Sequence, residues 1–97
     1  MAFLDINGRS VAYRLLGSQA NPLVMLAHPL GMTQAVWDDL LPRLLPRYRV
    51  LTWDLPGHGA SQAWPERGGD ITPADLALEA LALADRAGAG RFHFVGT

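Results

Sequence analysis

The sequence predicts an α/β fold, a mostly parallel sheet preceded by an antiparallel hairpin, and three features predict it. Leu23-Val24-Met25-Leu26-Ala27 and the run at residues 48–53 are short apolar segments without alternation, the pattern of strands buried on both faces. After each of them the apolar spacing lengthens to a helical period, at residues 36–44 and again at 76–87. In front stands Asn7-Gly8, flanked by apolar runs; this pair is preferred in a type I′ turn because both central residues need φ > 0. Strands alternating with helices imply crossovers on the faces of a parallel sheet.

Residues 3–6 and 11–15 form the hairpin strands, and the segment 17–22, Gly-Ser-Gln-Ala-Asn-Pro, is a loop by composition. The strand at 23–27 ends at His28-Pro29-Leu30-Gly31. Val36, Leu40 and Leu44 then lie four apart, with Trp37 and Leu41 alongside, so one stripe of a helix faces a core. Pro42 lacks a backbone donor and should break or kink this helix, and Pro46 marks its end. The buried strand at 48–53 runs into Asp54-Leu55-Pro56-Gly57-His58-Gly59-Ala60-Ser61, dense in turn formers, and a polar, Gly-rich loop continues to Asp70. Thr72-Pro73-Ala74-Asp75 reads as a helix start: a Thr N-cap, Pro at the first position and an acid at the third. Leu76, Ala80, Leu83, Ala84 and Ala87 share one face, Asp75, Glu79 and Arg86 another, and Gly88 is the C-cap. A last buried strand, Phe92-His93-Phe94-Val95, ends in Gly96.

At 97 residues one domain is the ceiling, and 49% hydrophobic with 18% charged residues places the chain among globular proteins rather than disordered ones. The net charge is −1, and all eight basic residues are scattered arginines, so nothing marks a nucleic acid or an anionic membrane as partner. The absence of Cys excludes a disulfide or a Cys nucleophile within these residues and fits a reducing compartment. The first residues lack the basic and apolar regions of a secretory signal, and no apolar stretch approaches the ~20 residues that span a bilayer. A cytoplasmic location is expected.

In an open α/β sheet, ligands bind beyond the carboxyl ends of the strands. The three segments at those ends hold the unusual composition of this chain: residues 28–33, residues 54–61, and Gly96-Thr97. A β-branched and aromatic strand ending in Gly is also how a G-x-S-x-G nucleophile elbow begins, with Gly96 and Thr97 as its first two letters. Other chemistry is poorly supported. His28 reads as a loop-shaping residue bonded locally rather than a general base. His58 and Ser61 are three apart in a tight Gly loop without a third orienting group, and Ser61 reads as a cap on local backbone. His93 reads as a packing residue and Asp54 as a loop anchor; Trp37 either lines a pocket or belongs to the core. The histidines lack ligand-like spacing, so no metal site is expected. Gly57-x-Gly59 is no dinucleotide fingerprint, because position 62 is Gln and no helix opens there.

Taken together, Leu26-Ala27-His28-Pro29-Leu30-Gly31, Trp37, the stretch from Arg49 through Asp54-Leu55-Pro56-Gly57-His58-Gly59-Ala60-Ser61, and Phe94-Val95-Gly96 resemble the N-terminal part of an α/β-hydrolase. More narrowly, the chain is similar to oxoadipate enol-lactone hydrolases and related esterases and haloperoxidase-like enzymes, along essentially its whole length. The resemblance implies that residues 1–97 are the N-terminal part of a single domain, with strand order 1-2-4-3-5 and strand 2 antiparallel to the rest. It implies an oxyanion hole whose first donor is the N–H of Leu30 and whose second lies after the nucleophile. Pro29 has no N–H to donate and stiffens that loop. His28, Pro29 and Trp37 become candidates for the substrate pocket. The triad, in the order Ser, Asp or Glu, His, would follow Thr97, so no catalytic residue is expected within these residues and the chain alone is expected to be inactive. The parent would hydrolyse a small ester, lactone or related carbonyl compound without a cofactor. Haloperoxidase-like or C–C bond hydrolysis on the same scaffold stays open, as does an inert domain that pairs with a partner chain. Without a sixth strand, the edge of residues 92–95 would be open to self-association.

Overall fold

The chain reverses at the hairpin turn that the sequence predicts, and Gly8 lies in it. In the computed structural model, which describes residues 2–6, 8–29, 31–61, 73–88 and 90–96, β1 (Ala2–Ile6) and β2 (Arg9–Leu16) pair antiparallel with Ile6 opposite Arg9. That register leaves two residues for the turn, and Gly8 takes φ 80° there. β2 opens at Arg9, two residues before its apolar run, because ladder bonding does not depend on side-chain polarity.

β3 (Leu23–Ala27), β4 (Arg49–Trp53) and β5 (Phe92–Gly96) complete a sheet of order β1-β2-β4-β3-β5. β3 runs parallel between β4 and β5, and β2 is antiparallel to β4, as the resemblance implied. Leu23, Met25, Leu51 and Trp53, with Val11 and Tyr13, face a helix, α2 (Pro73–Arg86), which contributes Ala80, Leu83 and Ala84, with Ala87 just beyond its end. Val24, Leu26 and Val50 face the opposite layer, where Leu41 and the half-buried Trp37, Leu40 and Leu44 lie. Successive residues of β3 and β4 thus serve different cores, which is why neither strand shows polar alternation.

In that opposite layer the helical segment expected around Val36, Leu40 and Leu44 is broken in two, in keeping with the break expected at Pro42. A 3-10 helix spans Gln34–Trp37, capped by the Thr33 hydroxyl, which accepts from Ala35 N–H at 3.3 Å. After a turn, one α-helical turn, α1 (Leu41–Leu44), follows with Pro42 at its start. Pro42 has no N–H to give the preceding turn, so a continuous helix cannot run through it; a proline is tolerated in a first turn, and the helix restarts around it. Val36, expected in the buried stripe, is consequently exposed.

α2 begins at Pro73, and Gly88 ends the segment by donating to the Asp85 carbonyl at 2.9 Å. The Thr72 cap lies outside the described residues. Glu79 departs from its expected polar face: it is 2% exposed, with a carboxylate oxygen 2.7 Å from the Arg9 guanidinium. Its position three residues after Leu76 and four before Leu83 sets it inside the apolar stripe. Burial pushes the Glu79 carboxyl above the ordinary carboxylate range, and Arg9 draws it part of the way back.

The last strand also differs from its expected burial. Only Phe92 is half-buried; residues 93–96 are exposed, because β3 alone pairs with β5 among the described residues. Phe94, 53% exposed, still sets its ring 6.1 Å from that of Trp53. No helix among the described residues is long and apolar enough to cross a membrane.

The Glu79 shift carries a pH signature. Its folded value is raised above the unfolded one, so its contribution to stability is present at acid pH and is lost as pH rises through the folded value. In urea unfolding from pH 4 to 8, Glu79→Gln should gain stability relative to the wild-type protein as pH rises. A difference independent of pH would contradict this account of the pair.

Candidate active site

The parallel register makes three strand ends level. Ala27 is opposite Trp53 on one side and Gly96 on the other. The next residues, His28 and Asp54, therefore leave the sheet side by side, and β5 ends at Gly96, level with Ala27. Leu30 and Thr97, the oxyanion and elbow candidates, lie outside the described residues.

Asp54 is 2% exposed, and its carboxylate accepts hydrogen bonds from Gln34 and Ala60. Oδ1 accepts from the backbone N–H of Gln34 at 2.8 Å; Oδ2 accepts from the Gln34 side-chain amide at 3.2 Å and from Ala60 N–H at 3.1 Å. This is the anchor that the sequence suggested, since a buried carboxylate without such donors would be costly. The loop has to curl tightly to bring Ala60 back. A Cβ at Gly59 would stand 2.5 Å from Asp54 Cγ, and its φ of 49° is one that side chains disfavour, so the position needs glycine.

Each histidine of the two loops bonds to the other loop. His28, buried at the end of β3, accepts from Leu55 N–H at Nε2 (2.9 Å), so its Nδ1–H donates to the Pro29 carbonyl at 2.8 Å. His58 accepts from Gly31 N–H at Nε2 (2.9 Å), and its Nδ1–H donates to the Pro56 carbonyl at 2.8 Å. The rings stand 5.3 Å apart, tilted by 50°. Both are fixed as the neutral Nδ1–H tautomer, with neither nitrogen left over for a general base.

Ser61 is no partner of His58. It is buried; its hydroxyl donates to the Asp54 carbonyl at 2.6 Å and accepts from Ala12 N–H at 2.9 Å, clasping the loop to β2. Asp54 N–H donates to the Ala12 carbonyl at 3.0 Å, so both backbone groups of Ala12 are spent on this loop. Trp37 packs with Val24, Leu26, Leu41 and Val50, and His93 sits exposed on β5 with its ring edge-on to Tyr48 at 6.2 Å.

Gln34 went unnoticed in the sequence and is central to the network. Its Oε1 accepts from the Thr52 hydroxyl at 2.7 Å and from Arg14 Nε at 3.1 Å, while Arg14 also reaches Asp38 at 2.9 Å. Two polar residues inside strand patterns, Arg14 and Thr52, were the available signal: facing one layer, they need a polar partner there. Among the described residues, no three His, Asp or Glu side chains gather into a metal-binding cluster.

Ser61→Ala should lower stability by about 1–3 kcal/mol, because the buried Ala12 N–H loses its acceptor. The midpoint of urea unfolding measures this. An unchanged midpoint would remove Ser61 from the clasp.

The geometry has close counterparts. Residues 23–97 match the profile of the Alpha/beta hydrolase family. A hydrolase from Pseudomonas aeruginosa PA01 superposes with a TM-score of 0.90 at 42% identity, over 98% of this chain and 35% of that one. The 3-oxoadipate enol-lactonase 1 of Acinetobacter baylyi is 26% identical over 89 residues, 92% of this chain and 32% of the relative. The pimeloyl-acyl-carrier-protein methyl ester esterase of Pectobacterium carotovorum is 36% identical over 64 residues, 66% of this chain and 24% of the relative. The chain spans about a quarter to a third of the length of such relatives and covers the N-terminal part of their fold. On the shared profile and the shared sheet, the chain belongs to the alpha/beta hydrolase family.

Proposed function

We propose that these residues supply the oxyanion side of a serine-type hydrolase acting on a small ester, lactone or related carbonyl compound. The observation that carries this reading is the pairing of Ala27 with Gly96. It brings the end of β3, from which the loop to Leu30 departs, level with Gly96, where on this reading a nucleophile elbow would begin. Enol-lactone and methyl ester hydrolysis by relatives supports the substrate class.

The chemistry follows from that adjacency. A serine after Thr97 attacks the substrate carbonyl while a histidine further along takes its proton, and the carbonyl π electrons move onto oxygen. Leu30 N–H and the N–H of the residue after the serine stabilise that oxyanion. Its collapse breaks the C–O bond while the histidine returns the proton to the departing oxygen, which leaves as an alcohol or, in a lactone, stays tethered as the ring opens; water then hydrolyses the acyl-serine. No step asks for a cofactor or metal. Pro29, which has no N–H, leaves Leu30 as the first donor of the loop.

The test uses a protein of the relatives' length that contains these residues, assayed on an activated aryl ester and an enol lactone. Leu30→Pro deletes the proposed donor and should lower kcat about 10²- to 10³-fold with little change in KM. Undiminished kcat in a folded Leu30→Pro variant would reject the assignment, and a wild-type protein inert on both substrates would reject the function.

A further inference from the structure

We propose that His58 is a positioning residue for this hydrolysis, aiming the oxyanion donor through its bond to Gly31; the inference rests on the hydrolase reading above. Both chain neighbours of Leu30 are tied to histidine rings. The Pro29 carbonyl accepts from His28 Nδ1–H at 2.8 Å, and Met32 N–H reaches the same carbonyl at 3.2 Å. That carbonyl is one end of the amide unit whose other end is the Leu30 N–H, and a planar amide couples the two directions. On the other flank, Gly31 N–H donates to His58 Nε2 at 2.9 Å.

The two ties hold different flanks. His28 grips Pro29 on the near side and is itself held by Leu55 N–H of the loop after β4. His58 comes from the loop after β4, 27 residues further on, and is the link that fixes the far flank of Leu30 to a different strand end. Gly31 takes φ 84° and is exposed, so its backbone has freedom to swing without an external acceptor. The residues around His58 are arranged to supply that acceptor. Gly57 at φ 71° and Gly59 at φ 49° curl the loop on either side of it, and the Pro56 carbonyl takes the Nδ1 proton at 2.8 Å, leaving Nε2 bare. An oxyanion donor works by being aimed before charge develops, and a displacement of about 1 Å in such a group can cost 10²-fold. His58 touches no reacting atom; its effect passes through Gly31.

Two near-isosteric substitutions separate this role from a general structural one. In His58→Gln the amide oxygen can stand near the place of Nε2 and still accept from Gly31 N–H. In His58→Asn the amide stands near the place of Nδ1, keeping the bond to the Pro56 carbonyl and losing the one to Gly31. Steady-state kinetics on the activated ester, in a protein of the relatives' length that contains these residues, should show kcat lowered roughly 10- to 100-fold in His58→Asn with KM within about 2-fold. His58→Gln should keep kcat within about 3-fold of wild type. Undiminished kcat in His58→Asn, or an equal loss in both variants, overturns the inference while leaving the hydrolase reading in place. If His58→Asn does not melt cooperatively, His58→Gln decides alone: retained kcat supports the role, and a loss as large as that of Leu30→Pro rejects it. A wild-type protein without activity rejects the hydrolase reading, and this inference with it.

Discussion

The buried carboxylate of Asp54 constrains everything at the carboxyl end of the sheet. A charge taken out of water at the end of a central strand must be met by hydrogen-bond donors from several directions, or the fold would lose several kcal/mol. The chain meets it with the backbone and side-chain amides of Gln34 and with Ala60 N–H. Those bonds decide where the 3-10 helix starts and how sharply the loop after β4 turns. They also explain Gly59, whose missing side chain makes room for the carboxylate itself.

With that curl in place, the rest of the loop is committed. Ser61 returns to β2 and occupies Ala12, while His58 is carried across to Gly31. The loops after β3 and β4 are thereby one hydrogen-bonded body, joined by two neutral imidazoles that each donate at Nδ1 and accept at Nε2. Both histidines serve geometry here, each ring nitrogen being engaged in a hydrogen bond to the backbone.

Much of this was legible in the sequence because independent cues agreed. The Asn7-Gly8 turn, the two apolar strands and the spacing of Ala80, Leu83, Ala84 and Ala87 each have a local physical cause, and the sheet order followed from the resemblance to a family. What was missed has tertiary causes. Glu79 counted as polar by type, although its spacing put it in the apolar stripe, and the Arg9 guanidinium on a distant strand offsets the cost of that burial. Gln34 gives no local sign of its role, since its partners Arg14, Thr52 and Asp54 come from two strands and a loop. The split of the 34–44 segment was half legible: Pro42 announced a break, but whether it would end one helix or begin another depends on packing against Val24 and Val50. The exposure of β5 could not be read from its composition, because a strand's burial is set by what pairs and packs against it.

The loops after β3 and β4 are laced together through the Nε2 atoms of His28 and His58. Nitrogen–nitrogen coupling across hydrogen bonds, measured by NMR on uniformly ¹⁵N-labelled protein, tests this most directly. The account predicts couplings between Leu55 N and His28 Nε2 and between Gly31 N and His58 Nε2, with both rings in the Nδ1–H tautomer. A proton found on either Nε2, or the absence of both couplings in the folded protein, would contradict it.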